Sequence, residues 1–242
     1  VDTRLTGLFG WGHIDRDDNE RDHDARLFGL FSETDFDTST VALDAIWVTG
    51  GEKDNVETDG LFLGAGTTQR IGKVNTAFRV AQSIALDEAS PAVDTGTLFL
   101  AELSGDPMGN DDVLYVNAAW AIDRFASAAR DPIAGGPLGP VGILFASPGL
   151  GDYGTALSNR AENVVAAATG YQMFFNQERT QIVAEIGPRL ATDTDQNDAV
   201  AMGLRFQQAL GARVVLQFDG FVSRQENQDT GYGARSELLV RF

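Results

Sequence analysis

The 242-residue chain is 43% hydrophobic, carries a net charge of −17 with a pI near 4.3, and has no cysteine. The acidity argues against nucleic acid as a partner, and the missing cysteines exclude disulfides, thiolate chemistry and zinc–thiolate sites while suiting export through an oxidising compartment. No stretch approaches the ~18 apolar residues of a membrane helix, a requirement that a closed barrel escapes because its ladders satisfy the backbone and only alternate residues face lipid.

Alternation of apolar and polar residues starts at once. Residues 1–14 place Leu5, Phe9 and Trp11 on one face against Asp2, Arg4 and Thr6 on the other, a period of two that predicts a strand. The opening therefore reads as strand rather than signal peptide, as expected of a chain whose signal has been cleaved or of a fragment. Further strands are predicted at 25–34, 40–49, 60–71, 74–86, 96–104, 112–123, 163–175, 180–191, 199–209, 212–223 and 233–242, about twelve in all. In the segment at 180–191, Ile182, Ala184, Ile186 and Leu190 oppose Gln181, Glu185 and Arg189, and Pro188 on the apolar side predicts a bend or bulge. The next strand sets Val200, Met202, Leu204 and Phe206 against Ala201, Gly203, Arg205 and Gln207. The strand after it sets Val214, Leu216, Phe218 and Val222 against Arg213, Gln217, Asp219 and Ser223.

The connections alternate as well. Arg70–Lys73, Asn176–Arg179 and Ala209–Gly211 are short, whereas Asp15–Asp24, Gly50–Asp59, Thr192–Asp198 and Gln225–Gly231 are longer and mostly acidic. Short turns at one end and longer loops at the other are what an outer-membrane barrel presents to its periplasmic and outer sides. A soluble β-sandwich would alternate too. Its polar faces would be rich in lysine and glutamate, but Lys53 and Lys73 are the only lysines here, and the polar faces carry small residues, glutamine and arginine.

Alternation stops between Arg124 and Glu162, where four prolines and many glycines predict a long loop over 125–162. A loop of that length in a compact domain is usually functional. It is expected to fold into the barrel and narrow it, with Arg130, Asp131, Asp152, Tyr153 and Arg160 as constriction-loop residues. Two alternatives stand beside that: Gly142–Ser147 as another strand, raising the count towards fourteen, or a loop covering the barrel from outside.

The last strand places Ala234, Ser236, Leu238, Val240 and Phe242 on one face and Arg235, Glu237, Leu239 and Arg241 on the other. An amphipathic terminal strand ending in an aromatic residue resembles the insertion signal of Gram-negative outer-membrane β-barrels. Gly149, Asn159, Arg160 and the following VVAAATGYQMFF are similar to carbohydrate-selective porins over one loop and one strand. The fold predicted for 1–242 is therefore one all-β domain, a transmembrane antiparallel up-and-down β-barrel of about 12 strands or part of a larger one, with an in-folded loop. The resemblance implies a porin, or failing that an anchoring barrel. Its implied partners are outer-membrane lipid, lipopolysaccharide, small polar solutes or ions, and the barrel-assembly machinery acting on the strand ending in Phe242. A homo-oligomer is compatible with it, and no cofactor is implied.

Alternation predicts a pore lining of Arg4, Arg26, Asp44, Arg79, Glu102, Asp123, Glu185, Arg189, Arg205, Arg213, Asp219, Arg235, Glu237 and Arg241. Arginine forks suit carboxylates, phosphates and sugar hydroxyls, and rows of opposed charge in a pore select polar solutes. Arg189, Arg205, Arg213 and Arg235 fall on four consecutive predicted strands. They form a basic ladder, or else pair with Glu185, Asp219 and Glu237 to fill a narrow barrel. Trp11, Trp47, Trp120, Tyr171 and Phe175 are candidate interfacial girdle residues.

Other chemistry finds little support. Asp193, Asp195 and Asn197 have the spacing of a calcium loop, but Asp198 replaces its glycine and Leu204 its glutamate, so no metal site is predicted. His13 and His23 are the only possible histidine bases, and no motif ties Ser32 or Ser223 to either, so no enzyme is predicted. An autotransporter translocator would open with a helix where this chain opens with a strand.

Overall fold

A computed structural model describes residues 1–14, 23–49, 52–53, 56–57, 59–86, 94–106, 108–109, 111–125, 162–193 and 197–240. In chain order the strands are β1 (Asp2–Ile14), β2 (His23–Asp35), β3 (Ser39–Thr49), β4 (Glu52–Lys53), β5 (Val56–Glu57), β6 (Gly60–Ile71) and β7 (Val74–Ala85). There follow β8 (Gly96–Gly105), β9 (Val113–Arg124), β10 (Glu162–Phe175), β11 (Thr180–Ala191), β12 (Ala199–Ala209), β13 (Val214–Gln225) and β14 (Gly231–Val240). The two-residue strands β4 and β5 form a small hairpin of their own; the other twelve make one sheet in which every strand lies beside its predecessor, all pairs antiparallel. This up-and-down order is that of a barrel wall. Among the described residues the ladders run from β1 to β14, and none joins these two edges.

The predicted strands coincide with these twelve to within a few residues. They run from 10 residues in β8 to 14 in β10, and a tilted strand of about 9–11 residues crosses a hydrocarbon core. One end of the sheet has the tighter connections, including 36–38, 72–73, 176–179 and 210–213; the other carries 15–22, 50–59, 86–95 and 125–161. Gly72 adopts φ 62° at the first central position of a two-residue hairpin, a place where a side chain would be strained.

Pro188 does not break the pattern as its sequence position predicts: the β11–β12 ladder runs in constant register from Thr180↔Gln208 to Arg189↔Ala199. On the β10 side the pairs Ala166↔Arg189 and Thr169↔Ile186 keep one register across the gap between them. The missing N–H therefore costs local pairing with β10 and leaves strand alignment intact. A bulge occurs elsewhere, between Glu162 and Val164, where β10 meets β9. Asn163 there takes φ 44°, and its side-chain oxygen accepts the Asp123 amide at 2.9 Å.

The two faces of the sheet differ in kind. The outer face carries Leu5 at 68% exposure, Phe9 at 65% and Leu204 at 56%, far more apolar surface than a water-facing sheet presents. Its aromatics contact one another across strands: Phe9 with Phe28 at 5.2 Å, Phe28 with Trp47 at 5.5 Å, and Phe99 with Trp120 at 5.5 Å. The buried residues lie on the opposite, inner face, where Leu98, Ala119, Ala121, Val164, Ala166, Ala168 and Ala201 cluster with Phe125.

A charge on the outer face should therefore cost far more than one on the inner face. Leu204→Arg, near the middle of β12, is predicted to lower stability by about 2–4 kcal/mol in lipid vesicles, whereas Gln207→Arg on the inner face should cost less than about 1 kcal/mol. Denaturant unfolding of the vesicle-inserted protein measures both, and equal costs would contradict the assignment of faces.

Candidate functional site

The inner face is built from polar side chains that reach across the sheet. Arg205 on β12 stands opposite Asp219 on β13, which stands opposite Arg235 on β14. Arg205 donates to Asp219 through Nε at 2.7 Å and Nη2 at 3.0 Å, a bidentate pair. Arg235 reaches the same carboxylate at 3.3 Å and Glu237 at 2.9 Å, while Gln217 donates to Asp219 at 2.8 Å. The Asp219 side chain is 1% exposed, and these donors satisfy the buried carboxylate.

A second group lies on β3, β6 and β7. Arg79 Nη2 donates to both oxygens of Asp44 at 2.9 Å, although these residues sit on strands that are not adjacent. Gly64, on the intervening strand, makes that reach possible, because a Cβ there would collide with the Asp44 carboxylate. The arrangement repeats on β9, β10 and β11. Tyr115 on β9 crosses Gly170 on β10 to donate its hydroxyl to Glu185 on β11, and a Cβ on Gly170 would collide with the Tyr115 ring. Glycine thus serves as a saddle that lets a long polar side chain lie flat against the wall.

The predicted lining residues are not all brought together. Asp44, Arg79, Glu102, Glu185, Arg189, Arg205, Asp219, Arg235 and Glu237 share the inner face by register. Arg4 also lies there, exposed on β1 and opposite Glu33. Arg26 stands on the other face: it follows the alternation of Phe28 and Leu30 and lies opposite Trp11. Arg213 lies in the turn before β13, outside the ladder. Asp123 is exposed at the end of β9 with φ 56°. Arg241, Phe242, Arg130, Asp131, Asp152, Tyr153, Arg160 and the alternative strand at 142–147 lie outside the described residues. So do Asp195 and the side chains of His13 and His23; Ser32 lies on the outer face and Ser223 on the inner.

Tyr115 and Gly170 are not legible as site residues in the sequence. Each is unremarkable within its own strand, and only the register Gly170↔Tyr115 and Gly170↔Glu185 makes them one unit. Gly170→Leu and Gly64→Val are predicted to destabilise by about 1–3 kcal/mol through overpacking and loss of the bridging bond. Gly7→Val, where a Cβ would meet no atom within 4 Å, should be near neutral. Thermal unfolding read by gel mobility separates these outcomes, and a Gly170→Leu variant as stable as Gly7→Val would remove the saddle argument.

No protein-family model and no curated protein sequence matches the chain. Among solved structures, the crystal structure of OccK11 (OpdR) from Pseudomonas aeruginosa, an outer-membrane porin, superposes with a TM-score of 0.66 at 12% sequence identity. The match covers 99% of this chain and 66% of that structure, so the chain spans just under two thirds of the length of the porin it resembles. The likeness is one of fold, and it agrees with the strand order and the two-faced sheet: the chain has the antiparallel up-and-down fold of an outer-membrane porin barrel.

Proposed function

We propose that the chain forms the wall of a passive channel in the outer membrane of a Gram-negative bacterium, passing small polar solutes or ions and catalysing no reaction. The observation that carries this reading is the pairing of an exposed apolar outer face with an inner face of ion pairs, on a porin-type sheet. A sheet whose only task was anchorage would need the outer face and could fill its interior with apolar side chains. Ordered rows of arginine and carboxylate instead set up a field across the lumen that favours polar solutes.

The 125–162 segment is proposed as the constriction. Supporting this, Leu98, Ala121, Val164, Ala166 and Ala168 are each 1% exposed on the inner face, which requires cover, and Phe125 at the root of the segment belongs to their cluster. Small alanine side chains leave room for a chain to lie against the wall. Lipopolysaccharide at the acidic loops, delivery by the assembly machinery and a homo-oligomer complete the proposal.

Single-channel recording in a planar bilayer tests it. Stable open steps are expected from the folded protein, with a larger conductance after deletion within 133–157. Asp219→Asn leaves Arg205 and Arg235 short of a carboxylate, so the reversal potential should move towards anion preference; Arg205→Ala should move it the other way. A folded protein that stays silent with and without the deletion would rule out a channel and favour anchorage.

A further inference from the structure

The outer face is not evenly filled. Val74, Gly105 and Leu114 share one rung across β7, β8 and β9, and Thr76, Leu103 and Val116 share the rung two residues further in. Val74, Leu103, Leu114 and Val116 stand out from the sheet, each between 37% and 47% exposed, while Gly105 between Val74 and Leu114 contributes no side chain. The result is a notch of about 150 Å³ at the short-turn end, lined by these four side chains and Gly105 together with Ser104, Asp106 and Tyr115. A Cβ on Gly105 would lie 3.0 Å from the Lys73 carbonyl oxygen, so the same glycine lets the β6–β7 turn come close to β8.

Both signs of charge stand at its turn side. Lys73, next to Val74, is 73% exposed, and its Nζ lies 4.0 Å from Asp106 Oδ2, at the limit of an ion pair. The other Asp106 oxygen accepts the Met108 and Gly109 amides at 3.2 and 2.6 Å, which fixes the carboxylate in the β8–β9 connection. Asp111 is exposed in that connection; Asp112 is buried and accepts from Tyr171 and the Phe174 amide, and Arg70 turns its Nε to the Gly72 carbonyl. An ammonium with carboxylates beside it suits a headgroup that carries both signs and disfavours one of net negative charge. In a bilayer an apolar chain gains nothing by leaving water, but an empty notch forfeits the dispersion contacts of its walls. A lipid chain restores them.

We propose that this notch seats an acyl chain of one phospholipid with a zwitterionic headgroup, its phosphate on Lys73 and its ammonium on Asp106. The inference rests on the reading that the outer face meets lipid and is independent of conduction. It gives the short-turn rim, the periplasmic side of such a barrel, a fixed point of attachment to one lipid.

Native mass spectrometry of the folded, detergent-solubilised protein tests this without requiring conduction. Titrated with dioleoylphosphatidylethanolamine, the protein should retain one lipid. Dioleoylphosphatidylglycerol, with the same chains and a net negative headgroup, should be retained several-fold less. Leu114→Trp, which fills the notch from β9, is expected to lower retention by about tenfold. Lys73→Glu should lower it by about fivefold, the worth of one exposed ion pair. Val222→Trp, on the outer face of β13, should leave it unchanged. Equal retention of the two lipids, wild-type retention in Leu114→Trp or Lys73→Glu, or an equal loss in Val222→Trp would overturn the site. Should Leu114→Trp fail to refold, Lys73→Glu and the two-lipid comparison on the wild-type protein decide. Selective retention by a protein that conducts nothing would support the site while removing the channel reading. Conduction by a protein with no lipid preference would overturn the site alone.

Discussion

In hydrocarbon no water is present to satisfy a backbone N–H or C=O, and each unpaired group costs several kcal/mol. The rest of this structure depends on that constraint. It explains why each of the twelve strands lies beside its neighbour in the sheet order, why Pro188 loses pairing without shifting register, and why the register shift seen among the described residues sits at the loop-bearing end of β10. It bears equally on β1 and β14, the two edges of the ladder order. A strand like β1, with Leu5, Phe9 and Trp11 standing out from it, cannot face lipid with its backbone bare. Its edge, to which no ladder is seen among the described residues, demands a strand partner in a membrane, whichever strand supplies it.

Once the ladders fix the register, the inner face becomes a problem of reach. Adjacent strands lie about 4.8 Å apart, so a side chain that seeks a partner two strands away must cross the strand between them. Gly64 beneath the Asp44–Arg79 pair and Gly170 beneath the Tyr115–Glu185 bond solve this in the same way. These long-range bonds tie non-neighbouring strands together, which ladder bonds cannot do. They also hold charged groups flat against the wall.

The strand pattern was legible because membrane and lumen impose opposite demands on successive residues, and β12 and β13 obey that rule residue by residue. The site was legible only in part. Alternation along the sequence predicts Arg26 in the lining, but the register sets it opposite Trp11 and in phase with Phe28 and Leu30; a long side chain near a strand end can carry its charge to the interface along an apolar face. Arg213 lies close enough to a strand boundary for the turn to claim it. The charges of Arg205, Asp219 and Arg235 are visible from sequence, but which carboxylate meets which guanidinium depends on cross-strand register. A period of two does not contain that information.

Register also changes what an arginine-rich wall means. A row of free guanidinium groups would attract anions, but Arg79, Arg205 and Arg235 each carry a carboxylate within hydrogen-bonding distance. The pairs contribute a local transverse dipole more than a net positive potential. Much of the chain's net charge of −17 then acts without opposition from these arginines, and the connections 15–22 and 50–59 at the long-loop end are rich in aspartate and glutamate. Acidic residues at an opening raise the local concentration of cations before any solute meets the wall. For the proposed channel, composition thus points to cations gathering at the long-loop end.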